Sequence, residues 1–229
     1  MSVITGRYWV LDTEGSGQKP NLPIQLAAVE MDGLKITGKT RLWHFKPPTP
    51  VSYHATRVHG ITNRDIARHP TFAEQRTDVV ETLGDLPIIG HAVDVELHGI
   101  RQLIPEWTPQ QALCTYRMAK RLYPAQMKHK LTFLTEQFGL AEDAAAISQA
   151  TPHHALYDAT ATALLLRYFA QTHADRMLSL IKAYDLIAAE RTKAARAELS
   201  QRKRALKKQA RAMNKSASDL SNAERHETR

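Results

Sequence analysis

The sequence predicts an α/β fold, a mixed β-sheet flanked by helices in a single domain, followed by a basic C-terminal tail that is helical or disordered. Three observations predict it. Short apolar, β-rich runs alternate with segments of helical periodicity over residues 7–170, the pattern of a sheet covered by helices. The strongest helical stripe (Ala155, Ala159, Ala163, Leu166 and Ala170) lies late in that stretch. Beyond it the composition changes: residues 191–229 carry 12 Lys and Arg against 4 Asp and Glu, whereas residues 1–190 carry 19 of each. The whole basic excess therefore belongs to the tail, and the body is electrically balanced.

The elements follow in order. Tyr8, Trp9, Val10 and Leu11 read as a buried strand over Arg7 to Leu11, ended by a turn cluster with Gly15, Gly17 and Pro20. Ile24 to Met31 reads as a second strand, and Asp32-Gly33 as a hairpin turn into a third around Thr40 to Phe45. Pro47, Pro48 and Pro50 then force an extended connection. Helices are expected over Thr71 to Leu83, Val93 to Ile104, Tyr116 to Tyr123, Leu131 to Phe138 and Ala155 to Ala170, with short strands at Leu86 to Gly90 and Ala112 to Cys114. Met177, Leu178, Ile181, Tyr184 and Ile187 continue a helical stripe, so residues 1–173 are assigned to the domain and 174–229 to a C-terminal helix and tail. In the tail, Leu199, Leu206, Met213 and Leu220 recur every seven residues. A coiled coil needs a second apolar position per heptad, and Ala195, Arg202, Gln209 and Ser216 do not supply one.

Composition excludes several classes. With 43% hydrophobic and 24% charged residues the chain is not globally disordered, and no apolar run approaches the ~18 residues of a bilayer span. Met1 to Arg7 lacks the apolar core of a signal peptide, and the single cysteine, Cys114, excludes an internal disulfide and a multi-cysteine zinc site. A cytoplasmic location is the expectation. Cys114, Trp9, Trp43 and Trp107 are expected in the interior rather than in chemistry.

The informative residues are acidic. In a strand, residues two apart share a side, so Asp12 and Glu14 project together at the carboxyl end of the first strand, where ligands of open α/β sheets gather. Two anions there repel unless a cation compensates. A second pair, Asp94 and Glu96, follows Ile88-Ile89-Gly90-His91, and a third group, His153 with Asp158, opens the strongest helix with Pro152 in its first turn. Carboxylates from separate elements without cysteines favour hard cations, Mg²⁺ or Mn²⁺, and with a histidine beside them suit phosphodiester hydrolysis.

These residues resemble the DnaQ-like 3′–5′ exonucleases, the DEDDh branch of ribonuclease H-like fold. Asp12-Thr13-Glu14 is similar to the first motif, Val58-His59-Gly60-Ile61-Thr62 with Pro70-Thr71-Phe72 to the linker before the next helix, and His153-x-x-x-x-Asp158 to the third motif. Cys114-Thr115-Tyr116, Arg121-Leu122-Tyr123-Pro124 and Leu131-Thr132-Phe133-Leu134 resemble the segments between. His-Ala-Leu-Tyr-Asp at 154–158 is most similar to the exodeoxyribonuclease X branch. One motif departs. Where the family usually reads His-Asn-x-x-Phe-Asp, this chain has His91-Ala92-Val93-Asp94-Val95-Glu96. Keeping His91 in register puts Glu96 at the metal position; the alternative moves Asp94 into the site.

The resemblance implies two Mg²⁺ or Mn²⁺ ions held by Asp12, Glu14, Glu96 and Asp158, with Asp12 bridging both, and His153 as general base. It implies that Thr13, Gly15 and His59 contact the terminal nucleotide. The substrate would be the 3′ end of a single strand or frayed duplex, DNA before RNA, releasing nucleoside 5′-monophosphates. A polymerase or a second copy of the chain is the expected protein contact, and no membrane. The rival readings are an inactive nucleic-acid-binding module, a proofreading accessory subunit, and an RNA-trimming exoribonuclease.

Overall fold

The computed structural model describes residues 4–204. Its sheet is built from β1 (Arg7–Gly15), β2 (Pro23–Asp32) and β3 (Lys35–His44), followed by three helices, α1 (Tyr53–His59), α2 (Asn63–Ile66) and α3 (Phe72–Leu83). The short strands β4 (Ile88–Gly90) and β5 (Ala112–Cys114) enclose α4 (Val93–Leu103), and α5 (Thr115–Leu122), α6 (Leu131–Gln137), α7 (Ala141–Ser148), α8 (Ala155–Thr172) and α9 (Ala174–Tyr184) complete the order. The strand order is β3-β2-β1-β4-β5. The first three strands form an antiparallel meander, and β4 and β5 are parallel to β1, so the sheet is mixed as expected.

Strand alternation sends β1 residues to two different cores. Tyr8 and Val10 join the side covered by α8, with Ala155, Ala159, Ala163, Leu166 and Phe169. Trp9 and Leu11 join the side covered by α3 and α4, with Val79, Leu83, Leu97 and Ile100. Trp9, Trp43, Trp107 and Cys114 are all buried, and each indole N–H finds an acceptor: Trp9 on the Thr82 carbonyl, Trp43 on Asp78 and Trp107 on the Gly84 carbonyl.

Three boundaries differ from expectation for physical reasons. β3 begins at Lys35, directly after the Asp32-Gly33 turn, rather than around Thr40, because pairing of Lys35 with Asp32 and Ile36 with Met31 carries the ladder to the turn. β1 does not stop at Leu11; pairing with β2 carries it through Asp12, Thr13 and Glu14 to Gly15, so ladder bonds override the poor β propensity of Asp-Thr-Glu. α8 begins at Ala155 with His154 as its N-cap, so Pro152 and His153 lie before the helix rather than in its first turn. α9 buries Met177 and Leu180 against the α8-side core, and Leu113 bridges to Asp185 just after it. The described residues divide into two units at Ile187 and Ala188. In the second, 188–204 is helical with Leu199 exposed. The remaining heptad positions, Leu206, Met213 and Leu220, and six of the 12 Lys and Arg of residues 191–229 lie outside the described residues. No helix among the described residues is long and apolar enough to cross a membrane.

Candidate active site

Three elements bring four carboxylates to one end of the sheet. Asp12 and Glu14 share the β1 side that carries Tyr8 and Val10, the side facing α8. Asp158 lies in the first turn of α8 and Glu96 in the first turn of α4. The Asp12 carboxyl feels the charges of Asp158, Glu96 and Glu14 together. Ligand atoms of Glu14, His153 and Asp158 all lie within 4.8 Å of one another.

The electrostatics of this group is unfavourable for a bare protein. Burial, and then repulsion from Asp158, Glu96 and Glu14, pushes Asp12 far above the usual carboxylate range. Burial followed by the Asp158 charge lifts Glu14 to about 8, and burial is the main cause that lifts Glu96 to about 8. Asp158 rises to about 6 through burial, a rise partly offset by the His153 charge and the His153 backbone N–H. Glu96 and Asp158 are buried, and Glu96 Oε2 and Asp158 Oδ1 have no hydrogen-bond partner. Leaving buried carboxylate oxygens unpaired costs on the order of several kcal/mol, so folds retain such groups where a cation or proton completes them. Oxygen donors with one imidazole fit a hard divalent ion, and residues Asp12, Glu14, Glu96 and Asp158 would hold it.

The second-motif acids have opposite fates. Asp94 is exposed, its carboxylate 3.9 Å from Arg117 Nη2. Glu96, two residues on, points inward. Gly90, the last residue of β4, makes room for it: a Cβ there would stand 2.9 Å from Glu96 Oε2. His91 does not join the carboxylates. Its Nε2 donates to the His129 carbonyl at 2.8 Å and its Nδ1 faces Thr115 Oγ1 at 3.0 Å, while burial lowers its pKa to about 4 and keeps it neutral. It ties the turn before α4 to α5.

His153 is exposed and adopts φ +65°, a left-handed conformation that costs a non-glycine residue about 1–2 kcal/mol. That turn swings its ring back to Glu14 and Asp158. His154 does something else. Its Nδ1 accepts from the Leu156 N–H at 3.3 Å and caps α8. Gln25 of β2 supports the same helix start: its Oε1 accepts from the Ala155 N–H at 2.8 Å, and its Nε2 donates to His44 Nε2 at 2.8 Å. Gln25, His44 and His154 thus hold the segment that presents His153 and Asp158, a role the sequence does not point to. There His154 reads only as a contender to His153 for the base, at the wrong spacing, and His44 as a surface or local hydrogen-bonding group. The available signal was Gln25 itself, a polar residue inside an apolar strand.

At the other lip, His59 Nδ1 accepts from the Ile61 N–H at 3.0 Å, which leaves Nε2–H to donate to the Gly15 carbonyl at 3.3 Å. Burial and the nearby His153 lower its pKa. A Cβ at Gly15 would meet the Asn21 side chain at 2.5 Å and displace it from the Gly17 N–H that its Oδ1 accepts from. Thr13 lies between the two acids on β1, paired with Leu26.

Comparison with known proteins decides the family. Residues 9–166 match the family described as Exonuclease, of RNase T type. The chain belongs to this exonuclease family. DNA polymerase III subunit epsilon of Aquifex aeolicus (strain VF5) is 28% identical over 169 residues, covering 71% of this chain and 79% of that protein. The same subunit of Pasteurella multocida (strain Pm70) is 28% identical over 167 residues, covering 67% of this chain and 64% of its own length. Among solved structures, Exonuclease X in complex with 5′ overhanging duplex DNA superimposes with a TM-score of 0.58 at 26% identity, over 77% of this chain and 97% of that one. The nuclease domain of 3′hExo, a DEDDh family member bound to rAMP, gives 0.59 at 20% identity over 76% and 96%, a likeness of fold. This exonuclease domain is therefore of the DnaQ-like, DEDDh type, with the ribonuclease H-like sheet that its motifs imply.

Proposed function

We propose that this site removes nucleotides one at a time from the 3′ end of a single-stranded or frayed DNA strand, releasing nucleoside 5′-monophosphates. The observation that carries the reading is the convergence of Asp12, Glu14, Glu96 and Asp158, two of them with orphaned buried oxygens, beside the out-turned His153. A pair of Mg²⁺ or Mn²⁺ ions, when bound, supplies Lewis-acid activation of the phosphate and of the attacking water. Asp12, Glu14, Glu96 and Asp158 hold that charge in place. His153 is exposed on the open side of the cluster, where it takes the proton of the attacking water as general base. His59, already bonded to Gly15, and the backbone of Thr13 and Gly15 form the lip against which the terminal nucleotide lies.

DNA is preferred as substrate because the curated relatives are DNA polymerase III subunits and Exonuclease X was solved with DNA. The same relatives make a polymerase contact the reading for a protein partner. The test is release of mononucleotides from matched DNA and RNA oligomers, in Mg²⁺ or Mn²⁺ and in EDTA, with the label at the 3′ end. Metal-dependent release from DNA, lost in His153→Ala while metal still raises thermal stability, is expected. Equal turnover by His153→Ala would remove the general base from the scheme, and no release under any metal would leave a nucleic-acid-binding module.

A further inference from the structure

The charge balance of the body hides a local excess. Residues 112–135 contain five Lys and Arg and no Asp or Glu, although residues 1–190 carry equal numbers of each sign. Helix α5 turns Thr115, Met118, Ala119 and Leu122 inward, which leaves Tyr116, Arg117, Lys120 and Arg121 outward. Lys120 Nζ lies 5.6 Å from the Tyr116 ring centroid, and in the loop that follows Lys128 Nζ lies 6.0 Å from that of Phe133. Among the described residues, Lys120, Arg121, Lys128 and Lys130 form no ion pair with a carboxylate.

This face abuts the carboxylate site. The Tyr116 N–H donates to the His91 carbonyl at 3.1 Å, and its ring meets the His91 ring edge-on at 5.6 Å, at the turn that leads into α4 and Glu96. Arg117 reaches Asp94 in the first turn of α4, two residues before Glu96. Without its metal ions the acidic site repels the end of a polyanion, so the phosphates that follow need positive charge from elsewhere on the surface. Unpaired cations interleaved with an accessible aromatic ring are what single strands use, phosphates on the cations and a base on the ring.

We infer that the outer face of α5 and the loop after it bind the single-stranded polynucleotide upstream of the scissile bond, with a base stacked on Tyr116 and phosphates on Lys120, Arg121 and Lys128. This deepens the reading of the site as one acting on a polynucleotide end and rests on it. The cations set affinity without choosing sequence.

The test uses the full chain in EDTA, so that binding is read without hydrolysis, with a fluorescent oligothymidylate of roughly 15 nucleotides and salt varied between about 50 and 200 mM. Lys120→Gln with Arg121→Gln is expected to lower the slope of log affinity against log salt by about 1.4, at roughly 0.7 per phosphate contact on a single strand. Tyr116→Ala is expected to weaken binding about tenfold with its urea midpoint unchanged, and Tyr116→Phe to restore binding, because stacking needs the ring and not the phenol. An unchanged slope in the charge variant, or Tyr116→Phe binding as weakly as Tyr116→Ala, would overturn the assignment. So would polyglutamate of matched charge binding as tightly as the oligomer, since the face would then suit an acidic protein. Native protein that binds the oligomer in this way yet releases no nucleotide in Mg²⁺ or Mn²⁺ would sink the exonuclease reading and leave the binding face standing.

Discussion

Helices α4 and α8 each deliver one carboxylate to the same cluster, but their starts are built differently. α8 is tied down from two sides: His154 caps the Leu156 N–H, and Gln25 accepts from the Ala155 N–H while bonding His44. α4 starts at Ala92, which offers no side-chain cap, and its carboxylate arrives on the longer arm of Glu96. Here the support comes from below, through His91 bonded to Thr115 and His129, and from the missing side chain of Gly90. The difference teaches that the tightly bonded entrance can afford a strained residue, His153 at φ +65°, whereas the entrance without a cap places its ligand by clearance alone.

The largest expected effect breaks the pairing of Asp94 with Glu96. Glu96→Gln should lower metal-dependent turnover on the order of 10²–10³-fold, because an ion-holding charge at the reacting phosphate is lost. Asp94→Asn, which removes an exposed carboxylate 3.9 Å from Arg117, should stay within about twofold. Matching losses in the two variants would put Asp94 back in the site. Next in size is the pH dependence of the metal-free protein. Glu14 and Glu96 are raised to about 8 and Asp158 to about 6, so between about 4.5 and 8 the folded state binds more protons than the unfolded one. Stability must therefore fall as pH rises through that window, and Tm in EDTA should drop by several degrees. Saturating Mn²⁺ should flatten the curve; a Tm that rises with pH in EDTA would contradict the burial of these carboxyls together.

The sheet and its main helices were legible because their apolar periodicity is strong: Trp9 to Leu11, Ile24 to Met31 and the alanine stripe of α8 all read directly as buried faces. The helices that escaped lack such a face. α1 buries no residue and α2 only Ile66, and α7, though rich in alanine, buries only Ala144 and Ser148. The extension of β1 through Glu14 was not legible either, because it depends on β2 pairing rather than on its own residues. In the site, spacing identified the acids, since a two-residue step in a strand and a shared motif register are local properties. The roles of Gln25, His44 and His154 are not local. Ala155 and its partner Gln25 are 130 positions apart, and only the fold shows that one serves the other.

Two smaller substitutions sharpen the contrast between the two entrances. Gln25→Ala removes the acceptor of the Ala155 N–H and the donor to His44, leaving a buried backbone donor unpaired. It should cost about 1–3 kcal/mol in urea unfolding and lower kcat about tenfold with little change in KM, because His153 and Asp158 lose their alignment rather than their chemistry. At α4 the reverse manipulation is available. Ala92→Asn adds the side chain that the helix start lacks, and an Asn in place of Ala at an N-cap typically gains about 1 kcal/mol. The backbone at Ala92, φ −139° and ψ 56°, is not the usual extended cap, so the expected gain is about half that value and appears as a higher urea midpoint at unchanged slope. If the midpoint does not move, the free N–H groups of α4 are not what limits this entrance, and Gly90 with His91 carries its placement without help from a cap.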